Sequence, residues 1–475
     1  MSLLDHARAE LEALTAQNRA FSRAYPGERA ARQPVHTVYG GAQLFEAETV
    51  QQLGPVALAS MDAYAPDPIA YARAIALPGA EALSAHDPRT LRDAYERDPE
   101  ALRRGDAAAF RAVRVYDRVR AKLAREPVED YRIDFEDGFG AKPDAEEDAV
   151  AVLAARAVGR AHARGILPPF VGIRIKSFGD EWKLRGARTL ELFVDTLLDE
   201  TRGTLPDGFV VTLPKVNLAE QPRFLVKLLA GLEARHRLAP GSLRMELMVE
   251  TTQALVGLDG RSPLPGFLAA CDGRCTGVHL GTYDFTASCS ITAAYQTMAH
   301  PMCDLAKGLM VLAYGGTGVF LSDGATNVLP VGPHTGPGLS PAQDDENRAA
   351  VHRAWRLSAA HIRRSLVGGF YQGWDLHAAQ LPVRFGTCFS FFLEGLDQAA
   401  ERLSAFVTRS SQATVQGDIL DDAATGQGLL NFFLRALNAG AIDEDDATRT
   451  GLTPEELALR SFARILEGRK GTTRG

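Results

Sequence analysis

The feature that most constrains this chain is an alternation. Short apolar runs recur between residues 35 and 385, and a longer helical period follows each one. The runs are Val35–Tyr39, Tyr131–Phe135, Phe170–Lys176, Phe209–Val216, Met245–Val249, Gly277–Leu280, Gly318–Gly324 and Gly369–His377. Strands separated by helices predict a parallel sheet, because parallel neighbours need a crossover connection. Roughly eight such units predict closure into a (β/α)8 (TIM) barrel, a fold that takes about 250 residues or more. A chain of 475 residues exceeds that length. We expect an N-terminal helical segment over 1–34, with Leu4, Ala7, Leu11, Leu14 and Phe21 on its packing face. A barrel domain over 35–387 follows, with a long insertion after its first strand, and then a C-terminal helical module over 388–475.

Barrel enzymes place their chemistry at the carboxyl ends of the strands. Two of the runs end there in an acid. Met245–Val249 leads into Glu250, and Gly277–Leu280 leads through Gly281, Thr282 and Tyr283 to Asp284. Together these two acids predict a hard, oxygen-only pocket suited to Mg²⁺, or Mn²⁺ in its place, with substrate and water filling the remaining positions. The second run carries Arg132, Asp134 and Glu136 on one face and Tyr131, Ile133 and Phe135 on the other. Arg174 on the next strand has two readings. It is a bidentate partner for a substrate carboxylate, or it neutralises the Asp134 and Glu136 layer. Lys215, near the end of the fourth run, could form a Schiff base, but the acid pair favours a metal mechanism. His279 lies early in its strand and reads as core. Cys271 and Cys275 lack the second ligand pair of a zinc site.

The ordered motifs resemble a known family. They are Asp134-Phe135-Glu136-Asp137, Arg174, Leu213-Pro214-Lys215-Val216, Val249-Glu250-Thr251-Thr252, Gly281-Thr282-Tyr283-Asp284 and Gly373-Trp374-Asp375-Leu376-His377. In this order they resemble the HpcH/HpaI aldolase and citrate lyase beta-subunit family of the phosphoenolpyruvate/pyruvate-binding barrels, to which malyl-CoA lyases are related and malate synthases more distantly. The resemblance implies that Glu250 and Asp284 hold the metal. It implies that Arg174 holds the substrate carboxylate and the developing enolate oxygen, and that Glu136 and Asp137 lie near the metal waters. It also implies that backbone amides around Gly281, Thr282 and Tyr283 receive a substrate carboxylate, with Lys215 close by. Candidate bases are His377, an acid of the 134–137 cluster, or a residue from the C-terminal module of a neighbouring subunit. The chain departs from the family at His377-Ala378, where relatives carry His-Pro, and in the length of the insertion after the first strand.

The implied activity is a metal-dependent carbon–carbon lyase or aldolase acting on a small 2-oxo or hydroxy acid, with a CoA thioester allowed as substrate. A malate synthase-like condensing enzyme and a non-catalytic ligand-sensing barrel are the competing readings. A net charge of −7 argues against a nucleic-acid partner. Five cysteines make a sparse, odd set, which favours a reducing compartment. With no signal peptide and no membrane span read from the sequence, we expect a cytoplasmic homo-oligomer whose partner is a small-molecule carboxylate.

Overall fold

Eight parallel strands close into one barrel in the computed structural model, in the order of the sequence. They are β1 (His36–Gly41), β2 (Asp130–Asp134), β3 (Phe170–Arg174), β4 (Phe209–Leu213), β5 (Arg244–Val249), β6 (Cys275–Leu280), β7 (Phe320–Ala325) and β8 (Gln372–Asp375). Pairing of β1 with β8, His36 opposite Gly373 and Thr37 opposite Trp374, seals the barrel. The structure describes residues 7–29, 31–408, 414–416, 419–421 and 423–472. The expectation for Leu4 lies outside these residues.

Alternation along each strand sorts side chains between the helical shell and the barrel interior. Outward-facing Val38, Ile133, Ile173, Val211, Leu247 and Val278 join one large apolar core with the helices. The interior is different. Arg132 is fully buried and pairs with Asp130 at 2.7 Å and Glu246 at 2.9 Å. His279 Nδ1 accepts the indole N–H of Trp374 at 2.9 Å, which leaves its Nε2 to donate to Glu246 at 3.0 Å. Both ring nitrogens of His279 are therefore engaged in the interior, as expected for a core histidine. Above this ionic layer lies a small apolar layer of Tyr39, Met248, Ala325 and Trp374. That layer is the floor of the carboxyl-end cavity.

Between β1 and β2 run five α-helices, the long insertion expected after the first strand. Three of them begin at Asp-Pro, with Asp67, Asp87 and Asp98 each accepting first-turn backbone N–H bonds and the proline at the first helical position. This pairing satisfies orphan donors with the acid and presets φ with the ring. The arginine-rich stretch up to Arg125 is a salt-bridged face: Arg114 and Arg118 bond Asp446 and Asp443, and Arg120 bonds Asp62.

Two helices differ from expectation, one in its extent and one in its burial. The division at residue 388 falls inside one continuous helix, Leu381–Thr408, which starts as the last helix of the barrel and extends beyond it. An apolar run such as Phe389–Leu393 cannot show from composition alone that it continues a preceding helix. In the N-terminal helix, Arg8–Ala24, no residue is buried, and Leu11, Leu14 and Phe21 of its apolar stripe are exposed. The C-terminal helix Ala423–Ala439 docks at the amino ends of the strands. Its Asn438 accepts from the Gln33 N–H at 3.2 Å and donates to the Gln33 carbonyl at 2.6 Å, just before β1. The module thus covers the face opposite the strand carboxyl ends. No helix among the described residues is long and apolar enough to cross a membrane.

Candidate functional site

Arg174 ends β3 and sits at the centre of the carboxyl face. Its guanidinium forms a two-pronged pair with Asp134 at the end of β2, Nε to Oδ1 at 2.7 Å and Nη2 to Oδ2 at 2.6 Å. Nη1 points on, 3.3 Å from Glu136 and 3.5 Å from Asp137. Tyr39 and Trp374 present their rings to the same guanidinium, at 5.0 and 5.9 Å. Of the two readings of Arg174 from sequence, these contacts are those of the neutralising one. Two of its nitrogens neutralise Asp134, and the third faces the cavity acids.

Lys215 follows β4 in the left-handed backbone region, with φ of 51°. A non-glycine residue there is strained and is held by its surroundings. Here the conformation serves two carboxylates at once. The backbone N–H of Lys215 donates to Glu250 Oε2 at 2.7 Å, while its Nζ bonds Glu136 and lies 3.2 Å from Asp137 and 3.6 Å from Asp284. Those partners hold the amine well above the usual lysine range despite burial. A Schiff-base lysine needs the reverse shift.

Glu250 is 2% exposed and turns its carboxyl toward β6. Gly281 makes this approach feasible: a Cβ there would stand 2.3 Å from Glu250 Cγ. Gly281→Ala should therefore displace the Glu250 carboxyl. We expect metal affinity to fall at least about tenfold while the melting temperature moves little, because the cost falls on one side chain at the cavity edge. Parallel calorimetric and thermal titrations check this.

Burial pushes Glu250 up to about 8, with Asp284 and Glu136 adding to the shift against the pull of Arg174. Glu136 is likewise pushed up to about 7 by burial. Asp137, by contrast, is held below the usual carboxylate range, because Arg174 and Lys215 outweigh its burial. Five carboxylates, those of Asp134, Glu136, Asp137, Glu250 and Asp284, thus gather around two cations, Arg174 and Lys215. A site with this excess of acid suits an added cation. Among the described residues, no group of three or more His, Cys, Asp or Glu side chains forms a metal cage by itself. A hard ion held by two carboxylates plus substrate and water does not need one.

A cavity of 360 Å³ opens over Arg174 and four of these acids, with Glu136 and Lys215 outside its lining. Its acidic side includes Asp134, Asp137, Glu250 and Asp284, and its apolar wall includes Tyr39, Trp374 and Leu376. Thr282 and Tyr283 open the helix Thr282–Ser288 at one edge, where the first N–H groups have no intrahelical acceptor. The Gly281 N–H does not join them, since it donates to the Val249 carbonyl at 3.0 Å in the sheet. This corrects the expectation that Gly281 offers its amide to substrate. Tyr283 is fixed through its hydroxyl, which donates to the Ala325 carbonyl at 2.9 Å and accepts from the Asn327 N–H at 3.0 Å.

His377 is not on this cavity. Its Nδ1 accepts the Ala379 N–H at 3.1 Å as a helix cap, and Leu376 makes the wall beside it. Burial lowers its pKa. Asp375 also points away, into the shell, where His36 and Arg384 hold it at 2.8 and 3.1 Å. Cys271 and Cys275 are buried and free. Tyr39 and Trp374 were not singled out by sequence reasoning. The period of two would have placed Trp374 inward, because its neighbour Asp375 goes outward.

A family model described as "Domain of unknown function (DUF6986)" matches residues 14–465. No curated protein sequence matches the chain. Among solved structures, a citrate lyase from Burkholderia xenovorans aligns with a TM-score of 0.51 at 19% identity, covering 72% of this chain and 93% of that one. A malate synthase from Haloferax volcanii, solved as a lead(II) complex, aligns at 0.40 and 15% identity over 74% and 91% of the two chains. An HpcH/HpaI aldolase/citrate lyase family protein from Burkholderia cenocepacia aligns at 0.34 and 14% identity over 61% and 90%. At 19% identity the citrate lyase likeness shows a shared barrel fold, and the chemistry must be read from the side chains.

Proposed function

We propose that this chain, which belongs to the DUF6986 family, is a divalent-metal-dependent carbon–carbon lyase or aldolase that acts on a small 2-oxo or hydroxy acid through an enolate. The observation that carries this reading is the excess of carboxylates, two of them buried, around Arg174 at the carboxyl edge of the barrel. Glu250 and Asp284 would hold Mg²⁺ or Mn²⁺. When bound, such an ion supplies Lewis-acid polarisation of the substrate carbonyl and a template for its carboxylate.

The chain's own residues do the rest. Arg174 brings positive charge to the position where the enolate oxygen develops, and its clamp on Asp134 removes the need for reorganisation. The amides of Thr282 and Tyr283 would receive the substrate carboxylate at the helix start. Glu136, pushed up to about 7, can hold or release a proton near neutral pH and is our choice for the proton-transfer group. Lys215 would keep Glu136 and Asp137 oriented and add a charge for the substrate. The 360 Å³ cavity and its aromatic floor favour a small acid. A CoA thioester and a condensing reaction of the malate synthase type are the second reading, and the same experiment separates the two.

That experiment is proton NMR in D₂O with Mg²⁺, offering pyruvate and acetyl-CoA separately. The proposal expects loss of the pyruvate methyl signal, abolished by Glu250→Gln and by Asp284→Asn. Loss with acetyl-CoA alone would favour the condensing reading. Absence of exchange with either, while Mg²⁺ binds, would favour a ligand-sensing barrel.

A further inference from the structure

The opposite end of the barrel carries a second large cavity, and its charge has the other sign. A space of 930 Å³ lies between the segment before β1, the start of β7 and the C-terminal module. Arg29, Arg435, Arg460 and Arg464 line it, and Glu28 is the acid on its wall. Glu28 is already engaged, with Arg435 at 2.5 Å. No carboxylate stands within ion-pair range of Arg29, Arg460 or Arg464 among the described residues. Arg29 instead donates to the Cys275 carbonyl at 3.2 Å, and Arg460 to the Arg29 carbonyl at 3.3 Å. Most of their guanidinium donors are left over.

The neighbouring basic residues make the contrast. A second cavity of 590 Å³ shares Arg460 as a wall and is lined by Arg32, Arg118 and Lys122. There most of the cations are neutralised, Arg32 and Lys122 by Glu126 and Glu129 and Arg118 by Asp443, while Arg125, which also lines it, has no ion pair among the described residues. In the larger cavity Arg435 is likewise paired, with Glu28, so Arg29, Arg460 and Arg464 are its cations without a carboxylate partner among the described residues. Arg460, with φ of 52°, is the left-handed residue that follows the helix Pro454–Ala458. Gathering like charges in a partly buried concavity costs free energy unless something anionic is bound there. Burial and the nearby Arg244 hold Arg29 below the usual guanidinium range, which has the same direction.

We infer that the cavity at the strand amino ends, built from Arg29, Arg460 and Arg464, is a binding site for a small polyanion carrying phosphate groups. Guanidinium forks match phosphate oxygens in pairs. The volume lies in the usual range for small-molecule sites. A concave site on a chain of net charge −7 favours a compact ligand over a nucleic-acid strand. This inference does not depend on the reaction proposed at the other face.

The test is calorimetric titration of the full chain in EDTA with sodium tripolyphosphate, ATP and adenosine. EDTA keeps metal–phosphate complexes out of the carboxylate site. Tripolyphosphate and ATP should bind and adenosine should not. Tighter binding of ATP would assign the site to a nucleotide, and equal binding would assign it to the phosphates alone; both support it. Arg464→Gln and Arg460→Gln should each weaken binding about tenfold, the loss expected for a charge-assisted pair. Arg464 is exposed, so its variant should keep the wild-type melting temperature. Glu250→Gln should leave tripolyphosphate binding unchanged, which separates the two cavities. Absence of tripolyphosphate binding, or binding undiminished in both arginine variants, would overturn the inference. So would tighter binding of a short single-stranded oligonucleotide than of tripolyphosphate.

Discussion

Arg174→Gln should abolish measurable turnover and cost the fold about 3–5 kcal/mol, the range for removing one partner of a buried ion pair. The reason is what the substitution leaves behind. Asp134 is 2% exposed and has both carboxylate oxygens on this guanidinium. Glu136 and Asp137 lose the same cation. Lys215 cannot replace it, because its amine is held by Glu136 on the far side. Arg174→Lys keeps the charge but not the fork, so it should recover part of the stability and little of the turnover. Urea denaturation and the pyruvate exchange rate, measured on both variants, check the two halves separately. A stable, active Arg174→Gln protein would remove the guanidinium from the account.

Glu250→Gln should change the pH dependence of stability in a particular direction. The folded protein pushes Glu250 up to about 8, whereas an unfolded glutamate titrates near about 4.3. The folded state therefore binds this proton more tightly. Its contribution is fully present below the unfolded value and is lost as pH rises through about 8. Glu136, pushed up to about 7, acts in the same direction over a narrower window. Without metal, the wild-type protein should lose stability between about pH 5 and pH 8, on the order of a few kcal/mol. Glu250→Gln should flatten the upper part of that slope and be the more stable protein at pH 8. Saturating Mg²⁺ should reverse the order, because the ion stabilises only a protein that can hold it. Thermal melts across this pH range, with and without Mg²⁺, give both comparisons.

Much of this site was legible because the barrel imposes a rule. Acids and cations at strand carboxyl ends converge, and Asp134, Arg174, Glu250 and Asp284 could be assigned to those ends from alternation and turn residues alone. Lys215 was placed near its strand end, but its left-handed backbone, which lets one residue serve both Glu250 and Glu136, has no sequence signal. The aromatic floor was missed for a different reason. Tyr39 and Trp374 look like ordinary strand residues, and only closure of β1 against β8 brings their rings to 4.3 Å under Arg174. The ionic layer of Asp130, Arg132 and Glu246 depends on β2 and β5 facing each other inside the barrel, which no local period encodes. His377 lies off the cavity lining because the chain turns immediately after β8 and uses the imidazole as a cap. The division at residue 388 lies inside one helix, Leu381–Thr408, whose continuity composition does not reveal.

The central claim is that the acid excess at the strand carboxyl ends is a divalent-cation site. Its most direct test is calorimetric titration of metal-free protein with Mn²⁺ in two buffers of different ionisation enthalpy, for wild type, Glu250→Gln and Asp284→Asn. The account predicts saturable binding by wild type with net proton release at about pH 7, where Glu250 and Glu136 still carry protons that the ion must displace. Both variants should lose most of the affinity, and Glu250→Gln should also lose most of the proton release. Absence of binding by wild type, or Mn²⁺ binding indifferent to both substitutions, would contradict it.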